Sequence, residues 1–165
     1  MVVTNTDIDQ LSEIARSNYR SRENLNIHSS YNEKCQRFFN AIEPNSYIRP
    51  HRHSQSEGGE TLLAVRGGFV LVIFKDEGEF DKVHFFGVGA NFQTDSLCVT
   101  IPDRIWHTVL AIYPGSVLFE VKTGPFVVSC SKELAPWAPL EESEEGVLYH
   151  KNLLHKVFAG LFGKY

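Results

Sequence analysis

Four residues have the side chains and the spacing of a site for a divalent metal ion: His51, His53, Glu60 and His107. In a strand, side chains two positions apart point to the same face, with Cα atoms roughly 6.5–7 Å apart. Two imidazoles on one face can bind one ion, each at about 2.0–2.1 Å. Glu60 opens the next predicted strand after a glycine-rich turn, and Pro102 opens a turn that leads to His107. This arrangement can deliver a carboxylate and a third imidazole to the same ion.

Tyr47 and Arg49 are candidates for binding a substrate beside the metal. They have the same parity as His51 and His53, so in a regular strand all four side chains would face inward. A buried tyrosine and arginine suit a carboxylate, a phosphate or sugar hydroxyls. The alternative for Arg49 is a structural ion pair.

The candidate catalytic acids and bases are Tyr47, Glu120, Lys122 and His28. Glu120 and Lys122 alternate with Phe119 and Val121, and the pattern leaves open which pair faces the core. His28 either lies over the pocket mouth or fixes the N-terminal arm. The remaining histidines, His84, His150 and His155, are expected at the surface.

The elements that must position these residues are mostly short strands. Between residues 36 and 130, about nine apolar runs recur at roughly ten-residue spacing between turn residues, which is typical of an all-β barrel or jelly roll. Gly67-Gly68, between two of these runs, predicts a hairpin. The predicted strands include residues 46–53, which carry the histidine pair, and residues 125–130.

Apolar residues at helical spacing mark both ends of the chain. They predict a helix over residues 6–20, capped by Thr6 or Asp7, and a C-terminal helix after residue 146. Residues 21–35 have no clear period and are interpreted as an arm or loop. We therefore predict one domain in three parts: a helix and arm (1–35), a β-barrel (36–131), and an acidic, proline-containing segment with a C-terminal helix (132–165).

Composition excludes several classes of function. The 165 residues carry a net charge of −4 without a basic cluster, so no nucleic acid is expected as a partner. The longest apolar run, residues 69–74, is too short to span a membrane. The polar, acidic N-terminus lacks the features of a secretory signal, and the three cysteines form no CxxC pair. These features predict a cytoplasmic protein without a membrane partner.

Two motifs resemble those of the cupin superfamily. Residues 51–67, HRHSQSEGGETLLAVRG, are similar to the first cupin motif, in which HxH is followed by Glu and, seven positions later, by Gly. Residues 102–107, PDRIWH, are similar to the second motif, PxGxxH, with arginine at the usual glycine. The resemblance implies a jelly-roll barrel and the four metal ligands named above. Glu57 is the alternative carboxylate, but only Glu60 has the motif's distance to the glycine.

The resemblance extends over most of the chain to one group of bacterial cupins. The segments NLNIH, QRFFNAIEPNSYIRPHRH, LLAVRG, IPDRIWH, FEVKTGPF and APWAPLEE resemble the WbuC-type cupin-fold metalloproteins. Such proteins are often encoded among genes for O-antigen and surface polysaccharides. The resemblance implies a metal site and a link to those pathways, without an established reaction.

The sequence predicts one divalent metal ion, with nitrogen and oxygen ligands that suit Mn, Fe, Ni, Co or Zn. Four protein ligands leave one or two open positions on a five- or six-coordinate ion, which permits Lewis-acid chemistry. We expect a protein that acts on or binds a small polar or anionic, sugar-like metabolite. The alternative is a non-catalytic binding or regulatory module, and a storage role is disfavoured by the intact ligand set. A homodimer is expected because barrel edges can pair.

Overall fold

The computed structural model describes residues 1–53, 59–89, 94–127 and 132–162. Two helices and nine strands lie in these residues. In chain order they are α1 (Asn5–Ser17), β1 (Arg22–Asn26), β2 (Cys35–Ile42), β3 (His51–Arg52), β4 (Glu60–Phe74), β5 (Phe80–Val88), β6 (Cys98–Ile101), β7 (Trp106–Ala111), β8 (Ser116–Thr123), β9 (Glu133–Leu134) and α2 (Glu144–Phe162). The prediction of a mostly β chain with a helix near each end is confirmed.

The strands form two antiparallel sheets that share β4. One, which we call the cavity sheet, contains β1, β2, β8, the first half of β4, and β6. The other, the helix sheet, contains β5, the second half of β4, β7, β3 and β9. The central core is formed by the buried residues Ile42, Leu62, Ala64, Phe69, Leu71, Phe86, Ile101, Val109, Ala111 and Leu118.

Each sheet carries a helix on its outer face. Leu11 and Ala15 of α1 pack on the cavity sheet, and Leu153 and Val157 of α2 pack on the helix sheet. Because both of its faces are covered, β7 is buried at every position. Among the described residues, no helix is long and apolar enough to cross a membrane.

The hairpin predicted at Gly67-Gly68 is wrong, because β4 continues through both glycines. Before the glycines the strand pairs with β6 and β8, and after them with β5 and β7. Gly67 has a φ of +74°, and the register against β8 shifts between Ala64 and Arg66. The glycines therefore bend β4 from the cavity sheet into the helix sheet. Each half of β4 pairs with other strands, and the two halves do not pair with each other.

Gly67→Ala should destabilise the protein more than Gly115→Ala. Both glycines have positive φ values, +74° and +71°, a conformation that costs an L-residue about 1–2 kcal/mol. Only at position 67 would the new Cβ meet a close neighbour, the buried Ser116, whose Oγ would lie 2.2 Å away. Urea denaturation of both variants measures the two losses in unfolding free energy. Equal losses would contradict the close approach at Gly67.

The N-terminal region differs from the prediction in two respects. Thr4, rather than Thr6 or Asp7, caps α1, and Asp7 completes a capping box because its side chain accepts a hydrogen bond of 2.7 Å from the Thr4 N–H. The interpretation of residues 21–35 as an arm or loop is wrong in part, since β1 pairs with β2 along its length. As an edge strand beside α1, β1 lacks the regular alternation that would mark it in the sequence.

Two predicted strands are shorter in the structure or lie partly outside it. Within residues 46–53 only His51–Arg52 forms a strand, because Pro50 has no N–H to donate to a neighbouring strand. Residues 125–127 form no strand, and residues 128–130 lie outside the described residues. The short β9, in the segment predicted to be only acidic and proline-bearing, pairs with β3 instead.

Candidate metal centre

The structure brings His51, His53, Glu60 and His107 together at one end of the space between the sheets. One ligand atom from each residue lies within 4.8 Å of the other three. Two ligands on opposite sides of one ion, each at about 2.1 Å, stand about 4.2 Å apart. The cluster therefore fits a metal site after inward shifts of about half an ångström.

The fold fixes the imidazoles of His51 and His107 opposite each other. The two residues are paired across β3 and β7, and their ring centroids lie 4.6 Å apart. In each ring, Nδ1 lies beside a carbonyl oxygen two residues earlier, at 2.9 Å from Arg49 and 2.8 Å from Ile105. Because a carbonyl only accepts, Nδ1 carries the hydrogen and Nε2 keeps the lone pair that a metal needs.

Glu60, at the start of β4, lies close to two of the other ligands, His53 and His107. Its Oε1 lies 2.8 Å from Nε2 of His107, and its Oε2 lies 3.2 Å from Nε2 of His53. Burial alone would raise the pKa of Glu60, but the two histidines lower it well below its usual value. The carboxylate is therefore ionised, as a ligand must be. Glu57, the alternative carboxylate, lies outside the described residues.

The electrostatics of His51 also suit a metal ligand. Burial lowers its pKa well below the usual value, and the neighbouring Lys132 and His107 act in the same direction. The imidazole is therefore neutral near pH 7, with a lone pair available for an ion. Three imidazoles and one carboxylate form a mixed donor set that admits Mn, Fe, Co, Ni or Zn.

The metal centre forms one end of a cavity of about 320 Å³ between the sheets. Its wall combines apolar side chains of the core with polar and charged groups. The charged residues of the wall are Arg20, Arg22, Glu23, Glu60, Glu120, Lys122 and Lys132. A concave space with a few convergent polar groups is the usual form of a small-molecule site.

Glu120 and Lys122 face this cavity, which answers the question that their alternation left open. Lys122 Nζ lies 3.0 Å from Glu120 Oε1, and Asn40 Nδ2 donates a hydrogen bond of 2.8 Å to Glu120 Oε2. Burial raises the pKa of Glu120, although Lys122 acts against that shift. The ion pair lies close to the metal centre, since Lys122 is the cross-strand partner of Glu60.

His28 also lines the cavity, and it fixes the arm at the same time. Its Nδ1 lies 3.0 Å from the carbonyl oxygen and 3.2 Å from the backbone N of Arg37. These two contacts are compatible with either tautomer of the ring. Within the described residues, the buried Nε2 of His28 has no hydrogen-bond partner.

The inward orientation predicted for Tyr47 and Arg49 is wrong. Neither residue lines the cavity. The Tyr47 hydroxyl donates to the carbonyl of Pro139 at 3.1 Å, and the Arg49 guanidinium donates to the carbonyl of Ala135 at 2.7 Å. The parity argument fails because residues 46–50 are not a strand, so alternate side chains need not share a face.

Tyr47 instead packs against α2, and one expected surface residue is buried there. The ring of Tyr47 lies 6.0 Å from that of His150, whose Nε2 lies 2.8 Å from the Pro44 carbonyl. The expectation that His150 lies at the surface is therefore wrong. His84 and His155 are exposed, as predicted.

Sequence reasoning missed two cavity residues beside Glu120. The register of β2 against β8 places Asn40 on the inward face. No sequence pattern gives that register, so the position of Asn40 could not be predicted. Lys132 lies between the barrel and β9, where the sequence shows only an acidic, proline-bearing segment. No sequence signal points to its position.

One family of known proteins matches this chain over residues 3–85, which is half of its length, and is described as a domain of unknown function, DUF6016. The chain belongs to this family. No curated protein matches the DUF6016 chain in sequence.

Three solved structures are similar to the DUF6016 chain in fold, and their sequences are only 11–16% identical to it. Protein SO0799 from Shewanella oneidensis has a TM-score of 0.54 and 11% identity, over 70% of this chain and 79% of that one. KdgF from Halomonas sp. has a TM-score of 0.46 and 15% identity, over 66% and 82%. Oxalate decarboxylase from Bacillus subtilis has a TM-score of 0.49 and 16% identity, over 68% of this chain and 27% of that one. The likeness to protein SO0799 bears on the fold alone, and the predicted cupin fold of the DUF6016 chain is confirmed.

Proposed function

We propose that this chain is a metal-dependent cupin that binds a small polar, sugar-like metabolite and acts on it beside the metal. One observation carries the proposal: the cluster of three histidines and Glu60 opens on a cavity of about 320 Å³ whose wall also carries Glu120 and Lys122. That volume is at the lower end of the range for small-molecule sites. The cavity therefore suits a metabolite of a few carbon atoms.

The chain's own residues have distinct roles in this proposal. A bound divalent metal with an open position would polarise an oxygen of the ligand or activate water. Glu120 is the group placed to exchange a proton with the ligand, because burial shifts its pKa upward even against Lys122. Lys122 and Asn40 fix the two oxygens of that carboxyl group. Proton transfer by a positioned carboxyl group suits isomerisation and lyase chemistry.

A non-catalytic binding module is the alternative, and one observation favours it. Both oxygens of Glu120 already have a partner within 3.0 Å, Lys122 on one side and Asn40 on the other. A carboxylate held in this way would recognise a ligand through its fixed position and would move no proton. The same cavity and the same metal serve both functions.

The biological setting of the proposal comes from the sequence resemblance. We place the chain among the WbuC-type cupins and propose a role in the synthesis of O-antigen or other surface polysaccharides, in the cytoplasm. We also propose a homodimer, formed through edge strands such as β1 and β5, which each have one neighbour among the described strands. Size-exclusion chromatography with light scattering measures this oligomeric state directly.

A manganese-loaded protein should bind a member of a panel of monosaccharides and sugar acids. Binding at the open position displaces metal-bound water, so the water-proton relaxation rate should fall. Asn26→Trp, which places a large side chain on the cavity wall, should abolish the response and keep the metal. Lys82→Trp, on the exposed face of edge strand β5, is the matched control and should respond like the unchanged protein.

The same panel separates the two versions of the function. Each compound that binds is incubated with the metal-loaded protein and followed by NMR spectroscopy. A new product supports an enzyme, whereas an unchanged ligand supports the binding module. A metal-loaded protein that responds to no compound would contradict the proposed sugar-like ligand.

A further inference from the structure

The formal charges beside the metal centre cancel only when no metal is counted. The cavity wall carries two buried carboxylates, Glu60 and Glu120, and two ammonium groups, that of Lys122 and that of the exposed Lys132. A divalent ion on the histidines and Glu60 therefore adds two positive charges that no side chain among the described residues of this wall balances. Uncompensated charge in a water-poor interior is costly.

The mouth of the cavity does not supply the missing negative charge. Its charged residues are Arg20, Arg22 and Glu23. Arg22 is paired with Glu141, and Glu23 accepts a hydrogen bond of 3.1 Å from Asn18 Nδ2. Arg20 and Glu23 carry opposite charges, so this end of the cavity has no net negative charge either.

Lys132 is the cation whose charge is available to a ligand. Lys122 is held by Glu120 at 3.0 Å, whereas Lys132 forms no salt bridge within the part of the chain that the structure describes. Its side chain nevertheless lines the cavity together with Lys122 and Glu120.

On the basis of the proposed function, we infer that the ligand of this cavity is a small organic anion. Its carboxylate or phosphate group lies between the metal centre and the ammonium groups of Lys122 and Lys132, where it offsets the excess positive charge. An uncharged sugar would leave that excess in place. The carbon skeleton packs beside Phe38 and Phe126, whose ring centroids lie 5.1 and 5.8 Å from Lys122 Nζ. His28, with its unsatisfied Nε2 on the same side, supplies a further hydrogen-bonding group.

The inference is tested with the cobalt-loaded protein, whose visible spectrum reports ligand binding at the metal. Malonate and inorganic phosphate are the anionic probes, and glycerol is the neutral probe. We expect at least one anion to bind ten-fold or more tightly than glycerol. Lys132→Met should weaken that anion roughly ten-fold or more, the effect of losing a charged partner. Lys75→Met, an exposed lysine on the barrel surface, is the control and should change nothing.

A double variant tests the charge balance itself. Glu120→Gln with Lys122→Met removes one charge of each sign, so the preference for anions over glycerol should persist. Failure of both anions to bind, equal binding of glycerol, or an unchanged affinity in Lys132→Met would overturn the inference. Cobalt content, measured by mass spectrometry of the metal, is read separately. If one of those three results is obtained with full cobalt content, only the anion inference is contradicted and the proposed metal-dependent function stands. A protein that takes up no cobalt contradicts both the inference and the proposed function.

Discussion

Replacing His51 and His107 together by alanine should leave the purified protein with almost no bound divalent metal, against about one ion per chain in the unchanged protein. The two rings face each other across β3 and β7, and each is held by a carbonyl at its Nδ1. Their loss removes two of the four donor atoms. His53 and Glu60 alone cannot form a closed site, because structural and catalytic ions keep at least three protein ligands.

Metal content by mass spectrometry and affinity by titration calorimetry measure this effect. The matched control is the double replacement of His84 and His155, two exposed histidines that should leave metal content unchanged. Circular dichroism shows whether the His51, His107 variant is folded. A folded variant with full metal content would place the ion elsewhere and contradict the candidate centre.

Phe69→Ala should lower the free energy of unfolding by about 3–5 kcal/mol, the usual cost of truncating a buried phenylalanine. Phe69 is fully buried on β4, and its ring stacks on Phe86 of β5 with centroids 5.4 Å apart. The cavity left by alanine would lie in the central core between the sheets, which paired strands on both sides prevent from collapsing. Urea denaturation followed by fluorescence measures the change.

The control for this prediction is an aromatic residue outside the core. Tyr19 is 79% exposed, so Tyr19→Ala should change stability by no more than about 0.5 kcal/mol. A loss below about 1 kcal/mol in Phe69→Ala would mean that the core between the sheets is not packed as described.

The metal ligands could be predicted from the sequence because their signal is local and chemical. His51 and His53 stand two positions apart, and the distances from Glu60 to the glycine and from the proline to His107 follow a motif. These distances along the sequence can be recognised without knowing which strands pair. The two helices and most of the strands could be predicted for the same reason, since the periodicity of apolar residues is set by the element itself.

Features that depend on pairing between distant strands could not be predicted. Glu120 faces inward because β8 pairs with β2 and β4 in one register, and the alternation alone allowed either face. Tyr47 and Arg49 were assigned by strand parity, but the chain around Pro50 is irregular and their side chains turn to the α2 side. Gly67-Gly68 has the composition of a hairpin turn, and only the available partner strands make it a bend within β4.

The sharing of β4 by the two sheets has a consequence for how the cavity opens. His51 and His107 belong to the helix sheet, while Glu60 begins the segment of β4 that lies in the cavity sheet, so one covalent strand ties the two sides of the metal centre. Separating the sheets would break hydrogen bonds on both flanks of β4 at once. The edge strand β1, by contrast, pairs only with β2 among the described strands, and its loss disturbs no metal ligand. Local unfolding at that edge would therefore open the cavity wall while the metal centre keeps all of its ligands.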